Sequence, residues 1–223
     1  MDVKRPIIVS MTSWKNRIHH VAKTIFQMYK QSLKPTKIYL TLSTDEFQNK
    51  EDDLPHDLIL LKSAIPEFEI KWVKENTKAF KKLIPVLSEY KNSDVWILTV
   101  DDDVFYSNTY IEFLVNNAEQ HFGTVINPKM AGNWLHGAFG CYHPSYFMNQ
   151  NIFKITPQEM IKFVEDDKWY SACYHANKVK DFPLTALQHY FKMEKFEQPL
   201  SKTYMSYNNK QNIKKMIINI LRR

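Results

Sequence analysis

Residues 101–103 are three consecutive aspartates, and they end the apolar run Val95–Val100. An apolar run with β-branched residues reads as a buried strand, so the three carboxylates belong at the rim of a sheet. Like charges side by side repel unless a cation offsets them. Hard divalent cations take oxygen ligands, and magnesium-type sites often combine one or two carboxylates with substrate phosphates. The pattern therefore predicts a metal–phosphate site, with an acidic turn capping the next helix as the plainer alternative. A second acidic run, Glu165-Asp166-Asp167, opens a predicted helix. Acids there favour the helix dipole. Mutual repulsion also raises the pKa of at least one, as a general base requires.

The elements that must position these acids follow from periodicity. Residues 6–11 (PIIVSM) read as a buried strand, 15–31 as an amphipathic helix, and 37–42 (KIYLTL) as a second strand. Residues 44–57 read as a loop or short helix, and 68–73 (FEIKWV) as a third strand. A helix through about 91 carries Pro85, and Lys81 and Lys82 are expected on its solvent face. Val95–Val100 is the fourth strand, and a helix capped by Ser107 or Asn108 runs to about 121. A further strand is expected at 124–130, a capping box at Thr156–Glu159, and helices over 169–177 and from 208 onward. Strand–helix–strand alternation argues for a parallel α/β sheet, whose ligands sit outside the carboxyl ends of the strands. The aspartate triplet and Thr12-Ser13-Trp14 both belong to that edge.

Composition bounds the rest. The chain has 223 residues, 44% hydrophobic and 14% aromatic, enough for one larger domain with a full core. The net charge of +6 favours acidic partners. The two cysteines, Cys141 and Cys173, form no metal spacing. No stretch reads as a signal peptide or membrane span, so the expectation is a cytoplasmic protein. The four glycines lie at 123, 132, 137 and 140, none earlier. A Walker loop, a Rossmann fingerprint or the glycine-rich loop of nucleotidyltransferases is thereby excluded near the first strand.

The order of these segments resembles a known family. The first strand with its polar loop, QSLKPTKIYL, NTKAFKKLIPVL, TVDDDVFY at Thr99–Tyr106, the GxxGxYxP segment Gly137–Pro144 and the DDxW segment Asp166–Trp169 occur in sequence over about residues 5–180. The set is similar to bacterial family-2 type glycosyltransferases with a GT-A fold, in particular the small transferases of capsule or lipopolysaccharide assembly. The resemblance implies a Rossmann-like, mostly parallel central sheet. Its nucleotide-sugar half would span about 1–106 and its acceptor half 107–207, followed by a basic amphipathic helix at 208–223. It implies inverting transfer of one sugar, most often from a UDP-sugar, to a hydroxyl of a glycan or lipid-linked acceptor. No QxxRW segment of the processive synthases occurs.

The resemblance further implies a divalent metal, manganese or magnesium, on Asp103 with Asp101. Asp101 and Asp102 would face the nucleotide, and Asp167 would be the base with Asp166 or Glu165 as its alternatives. Thr12, Trp14, Arg17, Asp45 and Lys78 would meet the nucleotide, and Gly137, Gly140 and Tyr142 the sugar or acceptor. The C-terminal helix is expected either to pack on the domain or to rest on anionic lipid at the inner face of the cell membrane. Two other classes compete. A phosphoryl transferase with an aspartate nucleophile needs a different residue after Asp103-Val104, where Phe105 stands. A basic module for nucleic acid or membrane needs clustered cations, whereas these are dispersed and no nucleic-acid motif occurs.

Overall fold

The computed structural model describes residues 5–127, 140–163, 165–193 and 210–223. Strand β1, Ile7–Thr12, is buried along nearly its whole length, as expected of a strand covered on both faces. It is flanked by β2, Lys37–Ser43, and β4, Trp96–Thr99, both parallel to it. Strand β3, Phe68–Val73, extends the sheet beyond β2. The helical crossovers are α1, Val21–Tyr29, α2, His56–Ala64, and α3, Ile84–Tyr90. Four of the expected strands thus stand where the apolar runs put them.

The chain grows from β1 through β2 to β3 and then returns to the other side of β1 as β4. The gap between the carboxyl ends of β1 and β4 is therefore the topological switch point of the sheet, where α/β proteins bind ligands. Both chemistry-bearing segments, Thr12-Ser13-Trp14 and Asp101–Asp103, leave the sheet there.

The sheet continues through β6, Thr124–Asn127, β7, Cys141–Tyr142, and β8, Lys180–Pro183, in the order β3-β2-β1-β4-β7-β6-β8 among the described residues. Strand β7 is antiparallel to both neighbours, and the remaining pairs are parallel. Two short strands, β5, Val104–Tyr106, and β9, Phe191–Met193, form a separate antiparallel ribbon. Helices α4, Tyr110–Gln120, α5, Pro157–Phe163, α6, Asp166–Ala176, and α7, Lys210–Leu221, complete the description.

Several local outcomes differ from the sequence reading. Helix α2 follows from no periodicity, because Leu58–Leu61 are consecutive rather than spaced as a stripe, and Leu58 alone of them is buried. The helix after β3 is interrupted: a 3-10 turn, Lys78–Lys82, precedes α3, with Pro85 in the first turn where its missing N–H is harmless. The strand β5 takes the residues after the triplet, so the next helix begins at Tyr110 after Thr109 rather than at Ser107 or Asn108. The capping box forms as read. The Thr156 N–H donates to Glu159 Oε2, and the Glu159 N–H returns to Thr156 Oγ1.

The C-terminal helix is a packing element. Ile217 and Ile220 are buried, and α7 lies against α6 and the 3-10 turn Asn151–Lys154. Lys154 Nζ donates to the Leu221 carbonyl at 3.0 Å, and Arg223 pairs with Glu159 at 2.7 Å. Of the two alternatives for its apolar stripe, packing on the domain is the one that Ile217 and Ile220 show. No helix of the described residues is long and apolar enough to cross a membrane.

Candidate active site at the sheet switch point

Ser13, directly after β1, donates its hydroxyl to Asp102 Oδ2 at 2.5 Å, joining the two strand ends across the switch point. Arg17 closes the same corner. One terminal nitrogen lies 2.8 Å from Asp102 Oδ1 and the other 2.5 Å from Asp103 Oδ2. Planar, bidentate geometry of this kind is what a guanidinium offers neighbouring carboxylates. Asp102 is buried, and this burial outweighs Arg17 and Ser13 and raises its pKa to about 7. Asp103 is shifted upward too, by burial and by the charge of Asp101.

Asp101 turns the other way. Its N–H donates to the Tyr106 hydroxyl at 2.8 Å, which fixes the start of the triplet. Its carboxylate receives Lys82 Nζ at 3.1 Å, and the same ammonium lies 3.3 Å from Asp166 Oδ2. Lys82 is only 4% exposed. Burial would lower its pKa, but Asp101, Asp166 and Asp167 outweigh that and hold it above the ordinary lysine value. Asp166, at the N-terminus of α6, is shifted upward by its own burial against the pull of Lys82. One buried cation thus joins the first acidic run to the second.

The expectation that Lys81 and Lys82 face solvent is therefore wrong. The segment is a 3-10 turn packed against β1 and β2, so both lysines point inward. Lys81 Nζ bonds Glu46 Oε2 at 3.0 Å and Asn76 Oδ1 at 2.8 Å, tying the loop after β2 to the loop after β3. The sequence did hold a signal. Three adjacent carboxylates require positive charge, and Phe80 and Leu83, which flank the lysine pair, are buried.

The other expected residues distribute as follows. Thr12 gives its hydroxyl to the Thr41 carbonyl at 2.7 Å, inside the sheet edge. Trp14 is half-buried, and its indole N–H has no partner among the described residues. Asp45 is exposed and accepts from the Asn76 N–H at 3.2 Å. Lys78 donates to the Ile161 carbonyl at 3.0 Å, with its pKa lowered by burial. Its side chain runs toward α5 rather than to the triplet. Asp167 is half-buried beside Asp166, and Glu165 pairs with Lys168.

Gly137 lies outside the described residues. Gly140 and Tyr142 pack against each other at the start of β7. Tyr142 is fully buried, and its ring lies 2.1 Å from where a Gly140 Cβ would stand. Gly140 also accepts the Thr99 N–H at 3.0 Å, continuing the β4–β7 pairing.

Asp103 Oδ1 is buried and lacks a hydrogen-bond partner among the described residues. A carboxylate oxygen in that state fits a metal ligand. Among the described residues no three His, Cys, Asp or Glu side chains converge as a metal cluster. A cation here would thus need phosphate and water to complete its shell, as magnesium-type sites do.

No family profile and no curated protein matches the sequence. Solved structures do match the fold. The S. aureus TarS 1-349 structure in complex with UDP-GlcNAc superposes with a TM-score of 0.60 at 11% identity, covering 97% of this chain and 65% of that one. The mannosyltransferase PcManGT from Pyrobaculum calidifontis, in complex with GDP-Man and Mn2+, gives 0.59 at 11% identity, covering 83% of this chain and 56% of that one. The fold is of the GT-A type. A 4-diphosphocytidyl-2C-methyl-D-erythritol synthase also matches, with a TM-score of 0.57 at 9% identity over 99% of this chain and 100% of that one. The chain thus spans about two thirds or less of the two transferases and the full length of the synthase. In this GT-A fold the triplet, Arg17, Lys82 and Asp166 form one charged network at the switch point.

Proposed function

We propose that the protein is a glycosyltransferase that moves one sugar from a nucleotide-sugar, in the first instance a UDP-sugar, to a hydroxyl of a glycan or lipid-linked acceptor. Surface polysaccharide assembly is the setting that the sequence resemblance suggests. The observation that carries the reading is the carboxylate triplet at the sheet switch point, with one buried Asp103 oxygen that has no partner among the described residues. The expectation of a donor in this fold is supported by two neighbours solved with UDP-GlcNAc and GDP-Man.

Asp103, with Asp101, would hold a manganese or magnesium ion. Bound there, such an ion supplies charge neutralisation for a nucleoside diphosphate leaving group. Arg17 orients Asp102 and Asp103 through its two terminal nitrogens, and Lys82 orients Asp101. In the inverting step the acceptor oxygen bonds to the anomeric carbon. The bond from that carbon to the diphosphate breaks, and the nucleoside diphosphate leaves with the electron pair. The hydroxyl proton passes to a carboxylate. Asp167 suits this task better than Asp166, because Asp166 is buried against Lys82 whereas Asp167 is partly exposed.

The synthase match favours nucleotidyl transfer as a second reading, since it covers both chains fully. The loop after β1 speaks against it, because no glycine precedes position 123. Thermal-shift measurements with UDP-, GDP-, CMP- and dTDP-sugars and with CTP, with and without manganese, test both readings. At about ten times its Kd, the right donor contributes about 1.4 kcal/mol and raises Tm by roughly 3–5 °C. The shift is expected to need manganese and to vanish in Asp103→Asn. Absence of any shift with all four donor classes overturns the reading, and a shift with CTP alone moves it to nucleotidyl transfer.

A further inference from the structure

Helix α1 presents an outward stripe of Lys23, Phe26 and Lys30, at positions that share one helix face. Phe26 is 50% exposed on the side of α1 turned from the core. Tyr29 widens the stripe, with Lys34 Nζ 5.2 Å from its ring centroid. The stripe continues onto the β5–β9 ribbon. Lys23 Nζ stands 5.6 Å from the Phe105 ring centroid, and Phe105 is 48% exposed. Lys192 is the direct cross-strand partner of Phe105, so its side chain leaves the same face. The two parts are fixed to each other, because Gln27 of α1 accepts the Tyr106 N–H of β5 at 3.0 Å.

The charge is one-sided within the chain segment that contains α1, whereas the neighbouring α2 carries Asp57. No Asp or Glu occurs between Asp2 and Asp45, a span that holds Lys15, Arg17, Lys23, Lys30, Lys34 and Lys37. Arg17 is turned inward onto the triplet, and Glu112 of α4 reaches Ser32 just beyond the helix end. Exposed phenylalanines set among lysines on a rigid face match the two demands of an anionic bilayer surface. Apolar rings enter the acyl boundary while ammonium groups stay at the headgroups. A protein partner would need acids across from these lysines, and nothing on the face selects one.

We propose that the face formed by α1 and the β5–β9 ribbon docks onto an anionic lipid membrane. Phe105 lies two residues past Asp103, so docking would set the switch-point site beside the headgroup layer. The proposal stands independently of glycosyl transfer, since its test needs neither donor nor acceptor. Full-length protein is sedimented with vesicles of phosphatidylcholine alone and of phosphatidylcholine mixed with phosphatidylglycerol. Binding is expected only to the mixed vesicles and falls with added salt. Lys23→Glu/Lys30→Glu weakens it by about tenfold or more. Phe26→Ser/Phe105→Ser also weakens it severalfold, whereas Lys214→Glu/Lys215→Glu on α7 leaves it unchanged. Each variant is first shown to keep the wild-type melting temperature, and Lys23→Gln or Phe26→Gln replaces one that does not. Equal binding to both vesicle types, wild-type binding by both patch variants, or loss in the α7 variant overturns the proposal. So does a change of oligomeric state in the Phe26/Phe105 variant without loss of vesicle binding, which would make the face a protein interface.

Discussion

Removing the Lys82 ammonium would leave the buried Asp166 carboxylate, and the partly exposed one of Asp101, without their counter-charge. Breaking a buried pair from one side costs about 3–5 kcal/mol, far more than an exposed ion pair contributes. Lys82→Met is therefore expected to lower the unfolding free energy by about that amount in urea titration. Restoring neutrality with Lys82→Met/Asp166→Asn should recover part of the loss. If Lys82→Met unfolds like the wild type, the ammonium is not the keystone of this network. The residue scale is also where the sequence was least legible. Asp101, Asp102 and Asp103 could be singled out because three adjacent acids at a strand end have few purposes. Of their counter-charges, Arg17 was legible as a site candidate, whereas Lys82 was legible only as a demand for positive charge, since a lysine's direction depends on whether its turn is α or 3-10. The burial of Tyr142 was equally illegible: its segment suits a ligand loop, and its ring also fills the space over Gly140.

Among the elements, the amino end of α5 is the clearest case of a local sequence closing its own structure. Thr156 and Glu159 satisfy each other's backbone N–H groups, and Arg223 of the C-terminal segment grips the same carboxylate. Burial pushes the Glu159 pKa upward, but these partners outweigh it and hold it below the usual value of 4.5. A carboxyl depressed in the folded state contributes stability above its unfolded pKa and loses it as pH falls through the folded one. Thr156→Ala should cost about 1 kcal/mol near neutral pH. The difference from wild type should narrow as urea titrations are taken below pH 4.5, the ordinary value of the group. A constant difference across that range would assign the loss to the hydroxyl alone. Capping boxes and the strands β1 to β4 are legible because their information lies within a few residues. Helix α2 and the β5–β9 ribbon are not, since one lacks a stripe and the other pairs residues far apart in the chain.

At the scale of the whole molecule, α7 shows how an amphipathic pattern underdetermines its partner. The stripe of Ile217 and Ile220 specifies a dry surface but not whether protein or lipid supplies it, and here protein does. Ile220→Ala should lower stability in vesicle-free buffer by about 2–4 kcal/mol, read by chemical denaturation. A helix held off the protein in water would show no such loss. The two acidic runs also bear on how this molecule could be recombined. Strand β7 inserts beside β4, β9 pairs with β5, and Lys82 grips acids from both sides of residue 106. A crossover placed there, in the hope of joining residues 107–223 of one protein to residues 1–106 of another, would inherit a lysine and an aspartate that never met. Productive chimeras should be those in which Lys82, Asp101 and Asp166 come from one parent.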